Sequence, residues 1–122
     1  MKSILLVSHG SHCSETKIEI EHLLVKLKEK IDTPIVEYAF LEVASPNIPE
    51  GIQNCLEKGA KEVLILLNFL NSGRHVNFDI PEIIDAFQKN SPDIKIKISK
   101  PLSQSPKIVD LFLDNIKSCD AE

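Results

Sequence analysis

Four short apolar runs punctuate the chain, and each is followed by a stretch in which apolar residues return every three or four positions. The runs Ile4-Leu5-Leu6-Val7 and Val63-Leu64-Ile65-Leu66-Leu67 are unbroken. That is the pattern of strands buried on both faces of a parallel sheet. The other two runs are compromised. Glu37 and Tyr38 interrupt one, and Ile94-Lys95-Ile96-Lys97-Ile98 alternates with lysine, as edge strands do. Strands are therefore expected over Ser3–Val7, Ile35–Leu41, Glu62–Leu67 and Ile94–Ile98.

The intervening stretches read as amphipathic helices. The first, Glu15–Ile31, places Ile20, Leu23, Leu24, Leu27 and Ile31 on one face, with Ser14 as the expected N-cap. The second, Ile48–Lys58, has Pro49 in its first turn, Cys55 on its apolar face and Gly59 just past its end. The third, Ile80–Gln88, has Asp79 as its expected cap, Pro81 as an early proline, and Ile80, Ile83, Ile84 and Phe87 inward. The fourth, Pro106–Lys117, should turn Ile108, Leu111, Phe112 and Ile116 inward.

Strand and helix thus alternate four times, which predicts an α/β fold: a flavodoxin-like three-layer sandwich around a parallel four-stranded sheet. Placing the apolar strands centrally and the compromised ones at the edges gives the order 2-1-3-4. In that order the chain changes direction between strands one and three. Open α/β sheets bind ligands at such a switch point, beyond the carboxyl ends of the strands.

Composition narrows the possibilities. The 122 residues, 43% hydrophobic and 26% charged, suit one soluble domain spanning 1–122. A net charge of −4 without a basic stripe, no tryptophan and a single tyrosine argue against nucleic acid as a partner. No run approaches membrane-spanning length, and the apolar stretch near the N-terminus is too short for a signal-peptide core, so no membrane partner and a cytoplasmic location are expected. Cys13, Cys55 and Cys119 are too scattered for a disulfide framework or structural zinc site.

Candidate chemistry gathers at the switch point. His9 follows strand one in Ser8-His9-Gly10-Ser11-His12, and His75 follows strand three in Asn71-Ser72-Gly73-Arg74-His75. Neighbouring strands bring these loops together, so both imidazoles would face one cavity. There they can bind a divalent metal or move protons. Glu42, after strand two on the same edge, can ligate a metal, hold a histidine's second nitrogen, or accept protons. Arg74 can clamp a carboxylate, and Gly10 and Gly73 allow close backbone approach. His12 and Cys13 read as bystanders, His22 as a surface residue and Asp79 as a cap. Familiar alternatives are missing: there is no Gly-x-Gly-x-x-Gly after strand one, no phosphate-binding Gly-Lys-Ser/Thr loop and no Gly-x-Ser-x-Gly elbow.

Taken together, Ser8-His9-Gly10-Ser11, Phe40-Leu41-Glu42 with Pro46 and Pro49, and Ser72-Gly73-Arg74-His75-Val76 with Asp79-Ile80-Pro81 resemble the short, CbiX-type sirohydrochlorin chelatases. The resemblance implies the class II chelatase fold and ATP-independent insertion of a divalent metal into sirohydrochlorin. Cobalt, on the way to cobalamin, is the first expectation. Iron or nickel insertion, or a non-catalytic tetrapyrrole or metal carrier, are the alternatives. It implies no organic cofactor, with the metal as a substrate, and a homodimer.

Carried across by position, His9 and His75 would bind the metal and accept pyrrole protons, with Glu42 at the same site. Gly10, Ser11, Ser72, Gly73 and Arg74 would hold the anionic substrate, helped by backbone N–H groups at the starts of helices one and three. Since a ligating imidazole must be neutral, activity is expected to fall below about pH 6. The chain departs from the family pattern at His12, where arginine is common, and at Asn68, where a proline often ends strand three. It also lacks a histidine-rich tail.

Overall fold

The computed structural model describes residues 1–121. Its elements follow one another as β1 (Lys2–Ser8), α1 (Ser14–Lys30), β2 (Ile35–Phe40), α2 (Ile48–Glu57), β3 (Glu62–Leu67), a π-helical turn (His75–Asp79), α3 (Ile80–Asn90), β4 (Lys95–Ile98), a 3-10 turn (Leu102–Gln104) and α4 (Ile108–Asp120). All strand pairs are parallel, and the sheet order is β2-β1-β3-β4. The apolar strands are central and the interrupted ones lie at the edges, as the hydrophobic pattern requires.

Each face of the sheet has its own apolar layer. Beneath α2 and α3 lie Leu5, Val7, Ile35, Ala39, Ile48, Ile52, Val63, Ile65, Ile80 and Ile84, all buried together. On the opposite face α1 sets Ile20 and Leu24 against Leu6, Val36 and Phe40. Cys55 is fully buried in the first layer, where desolvation raises its thiol pKa above the ordinary value. The Ser3 hydroxyl, also buried, donates to the Glu62 carbonyl at 2.9 Å, so its polar atom is satisfied.

Local chemistry sets the helix starts. At α2, Asn47 accepts from the Glu50 N–H at 2.9 Å while Glu50 accepts from the Asn47 N–H at 2.9 Å, a reciprocal capping box ahead of Pro49. Gly59 follows that helix at a φ of +104°, the left-handed stop expected of it.

Four expectations differ from the structure. Ser14 is not the cap of α1: Cys13 holds that place without a side-chain cap, and its N–H donates to the Ser11 hydroxyl at 3.0 Å. Asp79 does not cap α3, because its backbone is already helical and continues the preceding π turn. Its carboxylate is engaged elsewhere. Finally, α4 does not turn inward. Ile108 is half-buried, but Leu111, Phe112 and Ile116 are exposed, and α4 contains no buried residue. Periodicity gives a helix an apolar face without saying that its own chain will cover it. Within α1, Ile20 and Leu24 are buried but Leu23 remains 45% exposed, because no neighbouring helix covers that flank. Among the described residues no helix is long and apolar enough to cross a membrane.

Candidate functional site

The carboxyl ends of β1, β2 and β3 build the site. The β1–β2 pairing continues past the strands: the Leu41 N–H donates to the Ser8 carbonyl at 2.8 Å and the Glu42 N–H to the His9 carbonyl at 3.0 Å. Backbone pairing thus delivers Glu42 beside His9. On the other side the Asn68 N–H donates to the Val7 carbonyl at 2.8 Å, and the Asn68 side chain donates to the Ser8 hydroxyl at 3.1 Å. Asn68, at the position where the resemblance suggests proline, therefore ties the ends of β1 and β3 together just before His9.

Gly10 makes the close approach possible. Its φ is +105°, and a Cβ there would sit 1.8 Å from the Glu42 carbonyl oxygen. Only glycine takes this backbone shape next to the Glu42 loop without displacing it. Val43, next in that loop, is a non-glycine residue at a φ of 58°. For a β-branched residue this conformation is a strained outlier of the kind that accumulates at functional sites.

The three side chains converge. His9 Nε2 lies 2.9 Å from Glu42 Oε1, and His75 Nε2 lies 3.9 Å from the same oxygen. The two imidazole centroids are 5.0 Å apart. One ligand atom from each of His9, Glu42 and His75 falls within 4.8 Å of the others. Two neutral imidazoles and one carboxylate form a borderline-hard donor set that suits divalent cobalt, iron, nickel or zinc. The side chains are about half exposed, so an ion can enter and leave, unlike an ion in a closed structural site.

Asp79 belongs to this centre, although its sequence position suggested only a cap. Its Oδ2 lies 2.8 Å from His75 Nδ1. An ionised carboxylate only accepts, so Nδ1 must carry the proton, and the lone pair of a neutral His75 sits on Nε2, facing Glu42. The signal was present in the sequence: His75 and Asp79 are four residues apart, a spacing that stacks side chains on a helical turn. The Asn77 N–H donates to the Gly73 carbonyl at 2.8 Å as that turn begins, so the helical segment starts well before Ile80. The first N–H groups of that segment accordingly belong to the turn holding His75, not to α3 proper.

The remaining candidate residues surround the centre. Arg74 is 85% exposed, with its Nε 3.9 Å from Asp79 Oδ1. Ser72 accepts from the Gln104 side chain at 3.2 Å, and Ser11 is used in the turn before α1. His12, Cys13 and His22 are exposed and join neither imidazole. Beside the centre lies a cleft of about 450 Å³ lined by Leu41, Glu42, His75, Asp79, Glu82 and Ile83. Three carboxylates and a histidine on its wall favour a cation over an anion there.

At its switch point the open parallel sheet gathers two imidazoles and a carboxylate, a donor set that could hold a metal ion. The chain belongs to the CbiX family, whose model matches residues 3–119. It is 31% identical to the sirohydrochlorin ferrochelatase of Priestia megaterium over 100% of this chain and 46% of that protein. With the sirohydrochlorin cobaltochelatase of Methanocaldococcus jannaschii it shares 28% identity over 93% of this chain and 96% of that one. The crystal structure of the sirohydrochlorin chelatase SirB from Bacillus subtilis subspecies spizizenii in complex with cobalt matches with a TM-score of 0.89 and 29% identity, covering 96% of this chain and 50% of SirB. The chain thus spans about half the length of the ferrochelatase and of SirB, and nearly all of the Methanocaldococcus protein.

Proposed function

We propose that this chain, as a cytoplasmic homodimer, inserts a divalent metal into sirohydrochlorin without ATP or an organic cofactor, with Co2+ as its metal. The observation that carries the reading is the convergence of His9, Glu42 and His75 on one small volume at the carboxyl edge of the sheet. Similarity to proteins named as sirohydrochlorin cobaltochelatases and ferrochelatases supports the substrate.

Insertion removes two pyrrole N–H protons, forms four metal–nitrogen bonds and strips the ion of its other ligands. His9 and His75 hold the incoming ion through ring nitrogens. Asp79 fixes the ring of His75. As the metal passes to the macrocycle, the lone pairs it leaves on the imidazoles, together with Glu42, become the acceptors for the two protons. The acidic cleft collects the cation, while the largely exposed Arg74, next to His75 and within ion-pair distance of Asp79, meets a substrate carboxylate.

The test is anaerobic absorption spectroscopy of sirohydrochlorin with Co2+, comparing wild type, His9→Ala/His75→Ala and the uncatalysed mixture. Faster appearance of the metallated spectrum, lost in the double variant, is the expected result. Repeating the assay with Fe2+ and Ni2+ ranks the metals, and faster insertion of iron would replace cobalt in this assignment. A stoichiometric spectral shift without turnover would identify a carrier instead, and no interaction with the tetrapyrrole would overturn the reading.

A further inference from the structure

A row of hydrogen bonds crosses the carboxyl edge of the sheet, from the end of β4 to the loop after β2. The Leu67 N–H donates to the Ser99 hydroxyl at 2.9 Å, and the Asn68 N–H to the Val7 carbonyl at 2.8 Å. The Asn68 side-chain amide then donates to the Ser8 hydroxyl at 3.1 Å. Beyond Ser8, the Leu41 and Glu42 N–H groups donate to the Ser8 and His9 carbonyls. Within this row, the bond between Asn68 and Ser8 is made by two side chains.

That bond lies on the face of the sheet away from α2 and α3. Successive strand residues point to opposite faces. Leu6 packs in the α1 layer and Val7 in the layer beneath α2 and α3, which puts Ser8 on the α1 side. Asn68 is there too, on the wall of a groove that it shares with Leu6, Leu23 and Leu66. Ser8 is only 5% exposed, so its hydroxyl cannot exchange Asn68 for bulk water without cost.

The bond joins the bases of the two loops that carry the imidazoles. Ser8 immediately precedes His9, and Asn68 opens the loop that leads to His75. The register of β1 with β2 reaches Ser8 and Phe40, whereas its register with β3 ends at Val7 and Leu67. At Ser8 the backbone is therefore still paired on the β2 side, while on the β3 side the Asn68 side chain takes over from the ladder. One residue further on, the ring of His9 stands 5.0 Å from that of His75.

We infer that Asn68 is a positioning residue for the metal centre. Through Ser8 it fixes the backbone that carries His9 against the end of β3, and so sets the separation of His9 from His75 without touching the ion. The inference rests on the metal-binding reading proposed above and adds to it a residue from the opposite face of the sheet. Ligands held in place by their supports need little reorganisation to share one ion, so loosening a support loses affinity.

Titration with Co2+, followed by calorimetry and by the visible absorption of the bound ion, tests it in wild type, Ser8→Ala, Asn68→Ala and the double variant. Urea unfolding confirms that each is folded at the titration temperature, so a loss of stability alone does not enter the measured affinity. Either single variant should bind Co2+ about 3- to 10-fold more weakly, with shifted absorption bands. The double variant should be no weaker than the weaker single one, because both substitutions break the same bond. Asn68→Ala with wild-type affinity and wild-type bands would overturn the positioning role, whatever its stability. Losses that multiply in the double variant would overturn the link through Ser8. A wild type that binds no Co2+ would overturn this inference together with the metal site. Metal insertion by the same wild-type preparation is assayed separately, so failure of the chelatase reading is distinguishable from failure of this one.

Discussion

Nδ1 of His75 donates to Oδ2 of Asp79 at 2.8 Å, across a single helical turn. The carboxylate holds the ring in one orientation and one tautomer, with Nε2 toward Glu42 and His9. Replacing Asp79 with alanine frees the ring and removes the acceptor. We expect Asp79→Ala to weaken Co2+ binding about 10- to 100-fold. Asp79→Asn should retain part of the affinity, since its carbonyl oxygen still accepts. Calorimetric titration with Co2+ measures both, and unchanged affinity in Asp79→Ala would remove Asp79 from the centre.

Gly10 is a second residue on which the site depends without contributing a side chain. A methyl group there would meet the Glu42 carbonyl at 1.8 Å, in a backbone conformation that L-residues avoid. Relief requires the Glu42 loop to move away from His9. Gly10→Ala should therefore cost about 2 kcal/mol or more of stability and should also reduce metal binding. Urea unfolding gives the first quantity and titration the second. Full stability with native metal affinity would show that the loop yields without consequence.

The sheet and the site were legible in the sequence to different depths. Strand order could be read because burial dictates composition. The interior of a central strand disfavours lysine: β1 carries one only at its first position, Lys2, whereas Lys95 and Lys97 alternate through the edge strand β4. His9, Glu42 and His75 could be placed together because each follows a strand on the same edge, and parallel pairing aligns those ends. Asp79 was obscured by its own plausibility as a cap, since an aspartate ahead of a proline-containing helix start fits two roles equally well. Only the π turn, which makes the His75–Asp79 spacing helical, separates them. The exposure of α4 was beyond a one-dimensional pattern, because an amphipathic stripe looks the same whichever chain covers it.

The cysteines should differ sharply in reactivity. Cys13 is exposed at the start of α1, where the backbone N–H groups of Glu15 and then Thr16 stabilise its thiolate and lower its pKa below the ordinary thiol value. Buried Cys55 is shifted upward by desolvation. Because a lowered pKa makes thiolate available at lower pH, alkylation of native Cys13 by iodoacetamide should rise with pH earlier than alkylation of the same cysteine in urea-unfolded chain. Cys55 should stay unmodified until the chain unfolds. Peptide mass spectrometry across a pH series separates the sites. Coincident native and unfolded profiles at Cys13 would show that the helix start does not stabilise the thiolate.

Val43 provides a test of whether strain in this loop serves the site. It holds a φ of 58° immediately after Glu42, and its side chain is 52% exposed, so it gains little from burial in return. Residues held in such conformations cost about 1 to 3 kcal/mol. Glycine would relieve that cost while adding freedom to the unfolded chain, which offsets about 1 kcal/mol of the relief. Val43→Gly should thus be as stable as wild type or somewhat more stable. Its Glu42 carboxylate, no longer held by a stiff neighbour, should meet His9 and His75 less often, and Co2+ affinity should fall. Stability and affinity would then move in opposite directions, which a general loss of structure cannot produce. If affinity holds while stability drops, the strained valine supports the fold and not the site.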